Sequence, residues 1–135
     1  MRTATTRVGA AFLLAAASIS ISQTTADAQP AGPNVKYVLT SDSPAGFDVN
    51  YLVNQPPNKE AYNADAYAFL KKDRINSPWE ITTTLADPQW AIINASAAAH
   101  AMAAPPNAHC EIWVDGQLAV QNTGPYTAFC QLSNW

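Results

Sequence analysis

The stretch Cys110-Glu-Ile-Trp-Val-Asp-Gly-Gln-Leu-Ala-Val-Gln-Asn-Thr-Gly-Pro-Tyr-Thr-Ala-Phe-Cys130 decides the fold class. Cys110, Ile112 and Val114 share one face of a period-2 pattern and Glu111 takes the other, as in a half-buried strand. Asp115-Gly116 then supplies a hairpin turn, because a type I′ turn needs positive φ at both central positions. Gly124-Pro125 turns the chain again and sets up a third strand ending at Cys130. The chain has two cysteines. Oxidation therefore leaves one bridge available, between the first strand of this unit and the last strand of the sequence. The loop it would close is about 20 residues long, worth roughly 3 kcal/mol on the chain-entropy model.

Working outward, the same alternation recurs. Val35–Thr40 reads as a strand with Val35, Tyr37 and Leu39 on one face. Phe47–Val53 reads as another, after turn chemistry around Pro44. Ser77–Leu85 places Pro78 at a strand start and Trp79, Ile81 and Thr83 on one face. Gln89–Ala95 is apolar on both faces and reads as a strand covered on both sides. Glu60–Lys72 fits no single period: a short helix, an irregular excursion and a strand read equally well. Its C-terminal basic cluster, Lys71, Lys72 and Arg74, reads first as a solvated loop and second as a contact for an acidic partner or headgroup. Ala97–Ala108 is alanine-rich with Pro105-Pro106 and reads as a loop. Six to seven short strands without βαβ alternation or repeats predict an all-β, Ig-like antiparallel sandwich.

The sequence has 135 residues, one domain's worth. Arg2 and Arg7, the apolar run Val8–Ile21, a polar cluster and Ala26-Asp27-Ala28 follow the order of a secretory signal peptide. Cleavage is expected after Ala28. An uncleaved anchor is the alternative, but a spanning helix wants about 20 apolar residues. Residues 1–28 are thus read as signal peptide, 29–34 as linker and 35–135 as the domain. Removing 1–28 takes Arg2, Arg7 and Asp27 with it and leaves nine acidic and five basic side chains, a net charge of −4. That balance argues against nucleic acid, which needs a basic face. An exported chain is secreted or held in the cell envelope, where paired cysteines are the rule.

No catalytic constellation stands out. His100 and His109 are the two histidines, too few with their neighbours for a zinc site. No Gly-x-Ser-x-Gly elbow and no phosphate-cradling glycine loop occur. The chain is read as a non-enzyme without metal or cofactor. Four tryptophans bear on binding. Trp79 and Trp90 read as core. Trp113 points away from the Ile112 face, so it is either an outer-face anchor or packs under the Glu60–Lys72 excursion. Trp135 either packs or hangs free. Asn94-Ala95-Ser96 matches a glycosylation sequon.

The order Tyr37-Val38-Leu39-Thr40, Val49-Asn50-Tyr51, Pro78-Trp79, Cys110-Glu-Ile-Trp-Val-Asp-Gly116 and late Cys130 resembles the soluble domain of the mycobacterial small membrane protein (MmpS) family. The resemblance covers about residues 35–132. It implies an extracytoplasmic β-sandwich, a Cys110–Cys130 disulfide and an accessory role beside the large lipid and siderophore exporters of MmpL type. It transfers no catalytic residue. The chain departs from that pattern in its short apolar leader and in a longer, more aromatic segment from Pro56 to Asn76. Two functions are expected in consequence. One is an envelope accessory domain that binds a transporter. The other is a secreted carrier of an apolar small molecule, lipid or siderophore-like ligand, lined by Tyr62, Tyr67, Phe69 and Trp113.

Overall fold

A computed structural model describes residues 32–135; the leader and its cleavage site lie outside the described residues. Eight strands form two four-stranded antiparallel sheets. Strands β1 (Asn34–Thr40), β4 (Trp79–Thr84), β6 (Ala108–Val114) and β7 (Gln117–Gly124) make the first, in the order β4-β1-β6-β7. Strands β2 (Gly46–Leu52), β3 (Leu70–Asn76), β5 (Ile92–Ala97) and β8 (Thr127–Gln131) make the second, in the order β3-β2-β5-β8.

Period-2 alternation is what joins the sheets into one core. Val35, Tyr37, Leu39, Cys110 and Ile112 enter it from the first sheet, and Phe47, Val49, Tyr51, Ile93 and Ala95 from the second, all buried. Tyr37 and Tyr51 stack at a tilt with centroids 5.7 Å apart, and Trp79 follows at 5.2 Å from Tyr51. Their hydroxyls are satisfied: Tyr37 donates to the Leu52 carbonyl at 2.8 Å and Tyr51 to Asp73 Oδ2 at 2.7 Å. Cys110 on β6 and Cys130 on β8 are joined across the sheets, with Cα atoms 6.1 Å apart and a sequence separation of 20. The β6–β7 turn places Asp115 at φ 48° and Gly116 at φ 79°, the two positive values that Asp-Gly foretold.

Three sequence expectations change. The strand count is eight, because Leu70–Asn76 pairs with β2 along its whole length. Charge at Lys71, Lys72 and Arg74 hid that strand from a hydrophobic pattern, yet it suits an edge, where cations deter pairing with another chain. Gln89–Ala95 is not one strand: Pro88–Trp90 is a 3₁₀ turn opened by the Asp87 carboxylate, and β5 starts at Ile92. Asn34, read as linker, is the first residue of β1.

Lys59–Ala64 forms a short helix, α1, followed by a 3₁₀ turn at Ala66–Ala68. Asn58 caps α1 by accepting the Ala61 N–H at 2.8 Å. Six residues cannot hold a helix in water alone. Tyr62 holds this one, packing against Phe69 and edge-on against Trp135 at 4.5 Å, while Trp135 packs edge-on against Trp90 and donates to its carbonyl. No helix among the described residues is long and apolar enough to cross a membrane.

Candidate ligand groove

The outer face of the second sheet carries the groove. Register aligns its outward side chains in rows across the strands. One row runs Lys72, Asn50, Asn94, Phe129, and the next towards the opposite end runs Arg74, Asp48, Ser96, Thr127. Beside the first row lie Leu70 and Ile92, one pleat repeat away on the same face. The α1 excursion arches over this apolar end. Tyr62, Ala66 and Tyr67 from the excursion close with Leu70, Ile92 and Phe129 around a groove of about 270 Å³, with Asn50 and Asn94 in its wall. Tyr67 and Phe129 are exposed, at 76% and 41%. These are large aromatic surfaces left in water beside a groove, where an apolar guest would cover them.

Asn94 gives the groove its one unmet polar demand. Its Oδ1 is buried without a hydrogen-bond partner. A buried acceptor left unpaired costs about 1–3 kcal/mol. Tyr62 has its hydroxyl pKa pushed up, first by burial and then by neighbouring Tyr67, so it stays neutral in the groove wall.

A second hollow of about 530 Å³ sits farther along the same sheet, under the alanine-rich loop, and alanine and proline side chains make up much of its wall. Phe47, Asp48, Arg74, Ser96, His100 and Tyr126 are among its lining residues. Asp48 accepts from Arg74 Nε and Nη2 at 3.0 and 3.3 Å. That guanidinium holds the Asp48 carboxyl below the usual carboxylate range.

The expected contact residues therefore divide. Tyr62 and Tyr67 line the groove, whereas Phe69 is half-buried against the core behind it. Lys72 and Arg74 share the outer face, but Lys71 lies opposite inward-facing Tyr51 and pairs with Asp73 at 3.3 Å. Trp113 is not part of this site. It lies on the outer face of the first sheet, in register with Lys36, whose Nζ sits 5.2 Å from its ring centroid. The strand alternation that buries Ile112 between the sheets sends Trp113 to the far side of the sandwich from the excursion. On that face Glu111 receives the Trp113 indole N–H through one oxygen and faces His109 Nε2 through the other at 3.1 Å, and Thr123 Oγ1 meets His109 Nδ1 at 2.7 Å. The row lies on an open face with Thr123 exposed, so it braces Trp113 rather than enclosing a reacting group. Among the described residues no group of three or more His, Cys, Asp or Glu could hold a metal ion.

Asn94, Leu70, Ile92 and Phe129 escaped the sequence reading. Leu70 starts β3, Ile92 and Asn94 share one face of β5, and Phe129 lies on β8, so only the strand pairing of the second sheet brings the four together. The one available signal was an Asn inside an apolar strand.

The comparisons with known proteins fit this architecture. The model of the Rv2576c beta-sandwich domain matches residues 37–130. Uncharacterized protein Rv2576c of Mycobacterium tuberculosis is 32% identical over 140 residues, an alignment that takes in 100% of this chain and 89% of the relative. Uncharacterized protein Mb2606c of Mycobacterium bovis matches to the same extent. The family matched is thus the Rv2576c domain, and the MmpS resemblance rests on its motif order alone. On the span of the family match and the identity to these relatives, the chain belongs to the Rv2576c beta-sandwich domain family.

Proposed function

We propose that this protein is an exported, non-enzymatic binding domain of the cell envelope that holds an apolar small molecule or lipid chain in the groove beneath α1. The observation that carries the reading is the groove itself: Tyr67 and Phe129 left largely in water beside a hollow floored by Leu70 and Ile92. A concave apolar site with few polar groups is the usual form of a ligand pocket. The disulfide and the leader's signal-peptide order support export. Native mass spectrometry of the protein from its own host tests it. An adduct removed by organic solvent is the expected result. A bare protein that also takes up no decanol on titration would overturn it.

A second reading follows from the opposite face. Trp113 lies in register with exposed Leu118, an aromatic–aliphatic pair suited to a protein surface. With the MmpS-like motif order, it supports docking to an MmpL-type transporter. Recovery of a transporter with the native protein but not with Trp113→Ala is the expected result, and equal recovery with both would end that reading.

A further inference from the structure

Each sheet leaves two edge strands: β4 and β7 on the first, β3 and β8 on the second. Three of these edges are protected against pairing with another chain. β3 carries Lys71, Lys72 and Arg74, and β4 carries exposed Glu80. β8 is five residues long, and its Phe129 carbonyl already accepts Asn122 Nδ2 at 3.0 Å. β7 differs. At eight residues it is the longest strand among the described residues, and Gln-Leu-Ala-Val-Gln-Asn-Thr-Gly holds no charged side chain.

Hydrogen bonds show which way the edge of β7 faces. The Thr123 N–H donates to Asn122 Oδ1 at 2.9 Å, a local stand-in for a strand partner, so that donor is not spent on β6. Backbone groups alternate sides along an antiparallel pair. Gln121, two residues away, therefore presents its N–H and C=O to the same open side. The register shift falls at Ala119, between the Ile112–Val120 and Trp113–Leu118 pairs, and leaves Val120–Gly124 regular. Gln121 lies opposite Glu111, so its side chain stands on the outer face of the sheet.

We infer that β7 pairs antiparallel with β7 of a second copy of this chain, Gln121 opposite Gln121 across a two-fold axis. At such an axis each residue meets its own kind. A charged side chain there would face a like charge, whereas an amide, both donor and acceptor, complements itself. β7 has amides at Gln117, Gln121 and Asn122 and no charge, on a chain whose net charge of −3 sets copies against each other elsewhere. The Thr123 N–H would exchange the Asn122 oxygen for a carbonyl of the second copy. A strip this short buries little area, so the dimer is weak and forms as concentration rises. Nothing in this pairing depends on the groove.

Sedimentation equilibrium of the full exported chain tests it. The mean mass should rise towards twice that of the monomer between about 10 µM and about 1 mM. Amide exchange at Gln121 should slow over the same range, while exchange at Lys72 on the β3 edge stays constant. Gln121→Lys sets a cation beside Glu111 within the sheet, which suits the fold, and against its own copy across the axis. It should weaken the dimer about three- to tenfold at low salt, and salt near about 1 M should restore part of that loss. Its urea midpoint at low protein concentration should match that of the unsubstituted chain. A mass that stays monomeric to about 1 mM would overturn the pairing and leave β7 to a different strand or to none. A dimer that Gln121→Lys leaves equally tight would overturn it too, by placing the contact on another face.

Discussion

Trp135 meets the Tyr62 ring edge to face, with centroids 4.5 Å apart, and thereby ties the groove's roof to the Trp90 turn. An aromatic pair of this kind is worth about 0.5–1.5 kcal/mol beyond its buried area. Trp135→Ala removes two such pairs and the hydrogen bond to the Trp90 carbonyl. A loss of about 2–4 kcal/mol is expected in urea unfolding. Hydrogen exchange should quicken across residues 59–68 more than in β1 or β2. Uniform change across the domain would mean that Trp135 does not anchor the roof.

Asn94→Leu should stabilise the domain. The substitution exchanges an unsatisfied buried acceptor for an apolar side chain of similar volume. The empty protein should gain about 1–2 kcal/mol, since removing an unpaired polar group recovers its desolvation cost. Destabilisation instead would show that the Asn94 oxygen is satisfied in solution.

The bridge between β6 and β8 is worth roughly 3 kcal/mol on loop length alone. Cys110→Ala with Cys130→Ala should lower the melting temperature by about 10 °C or more for a domain of this size. Calorimetry that finds the oxidised protein and this variant equally stable would remove the disulfide from the stability account.

Two turns should respond unequally to the same change. A Cβ at Gly124 would drive into the Thr127 carbonyl oxygen, a backbone atom that cannot step aside. A Cβ at Gly116 would meet open space, so only its φ of 79° resists an L side chain. Gly116→Ala should cost about 1–2 kcal/mol. Gly124→Ala should cost more, and comparable chemical-denaturation midpoints for the two would contradict the turn geometry.

Stability should fall at both ends of the pH scale. The hydroxyl of Tyr51 and the guanidinium of Arg74 hold Asp73 and Asp48, respectively, below the usual carboxylate range. Their contribution is complete above the unfolded carboxylate value near 3.9 and fades as pH drops through the lower folded values. Burial, the leading cause for both Tyr37 and Tyr51, pushes their hydroxyls up. The unfolded chain therefore ionises them first, and stability declines above about pH 10. Urea midpoints should be level through the neutral range; a level midpoint to about pH 11 would show that the buried hydroxyls ionise in place.

The sequence by itself determined the sandwich. Alternation at Val35-Tyr37-Leu39, Phe47-Val49-Tyr51 and Cys110-Ile112 is local, and burying one face of a strand leaves few architectures open. Asp115-Gly116 fixed its own turn for the same local reason. β3 stayed hidden because an edge strand is chosen by its neighbour's free hydrogen-bonding groups rather than by its own hydrophobicity. Tyr62 and Tyr67 were legible as surface aromatics, but Trp113 was grouped with them when the two belong to opposite faces. Only tertiary structure decided that. Register between strands far apart in sequence put Lys72, Asn50, Asn94 and Phe129 in one row, and packing of α1 on Trp135 roofed the groove. An unpaired acceptor such as Asn94 Oδ1 exists only once its surroundings are built, since burial is a property of the fold and not of the residue.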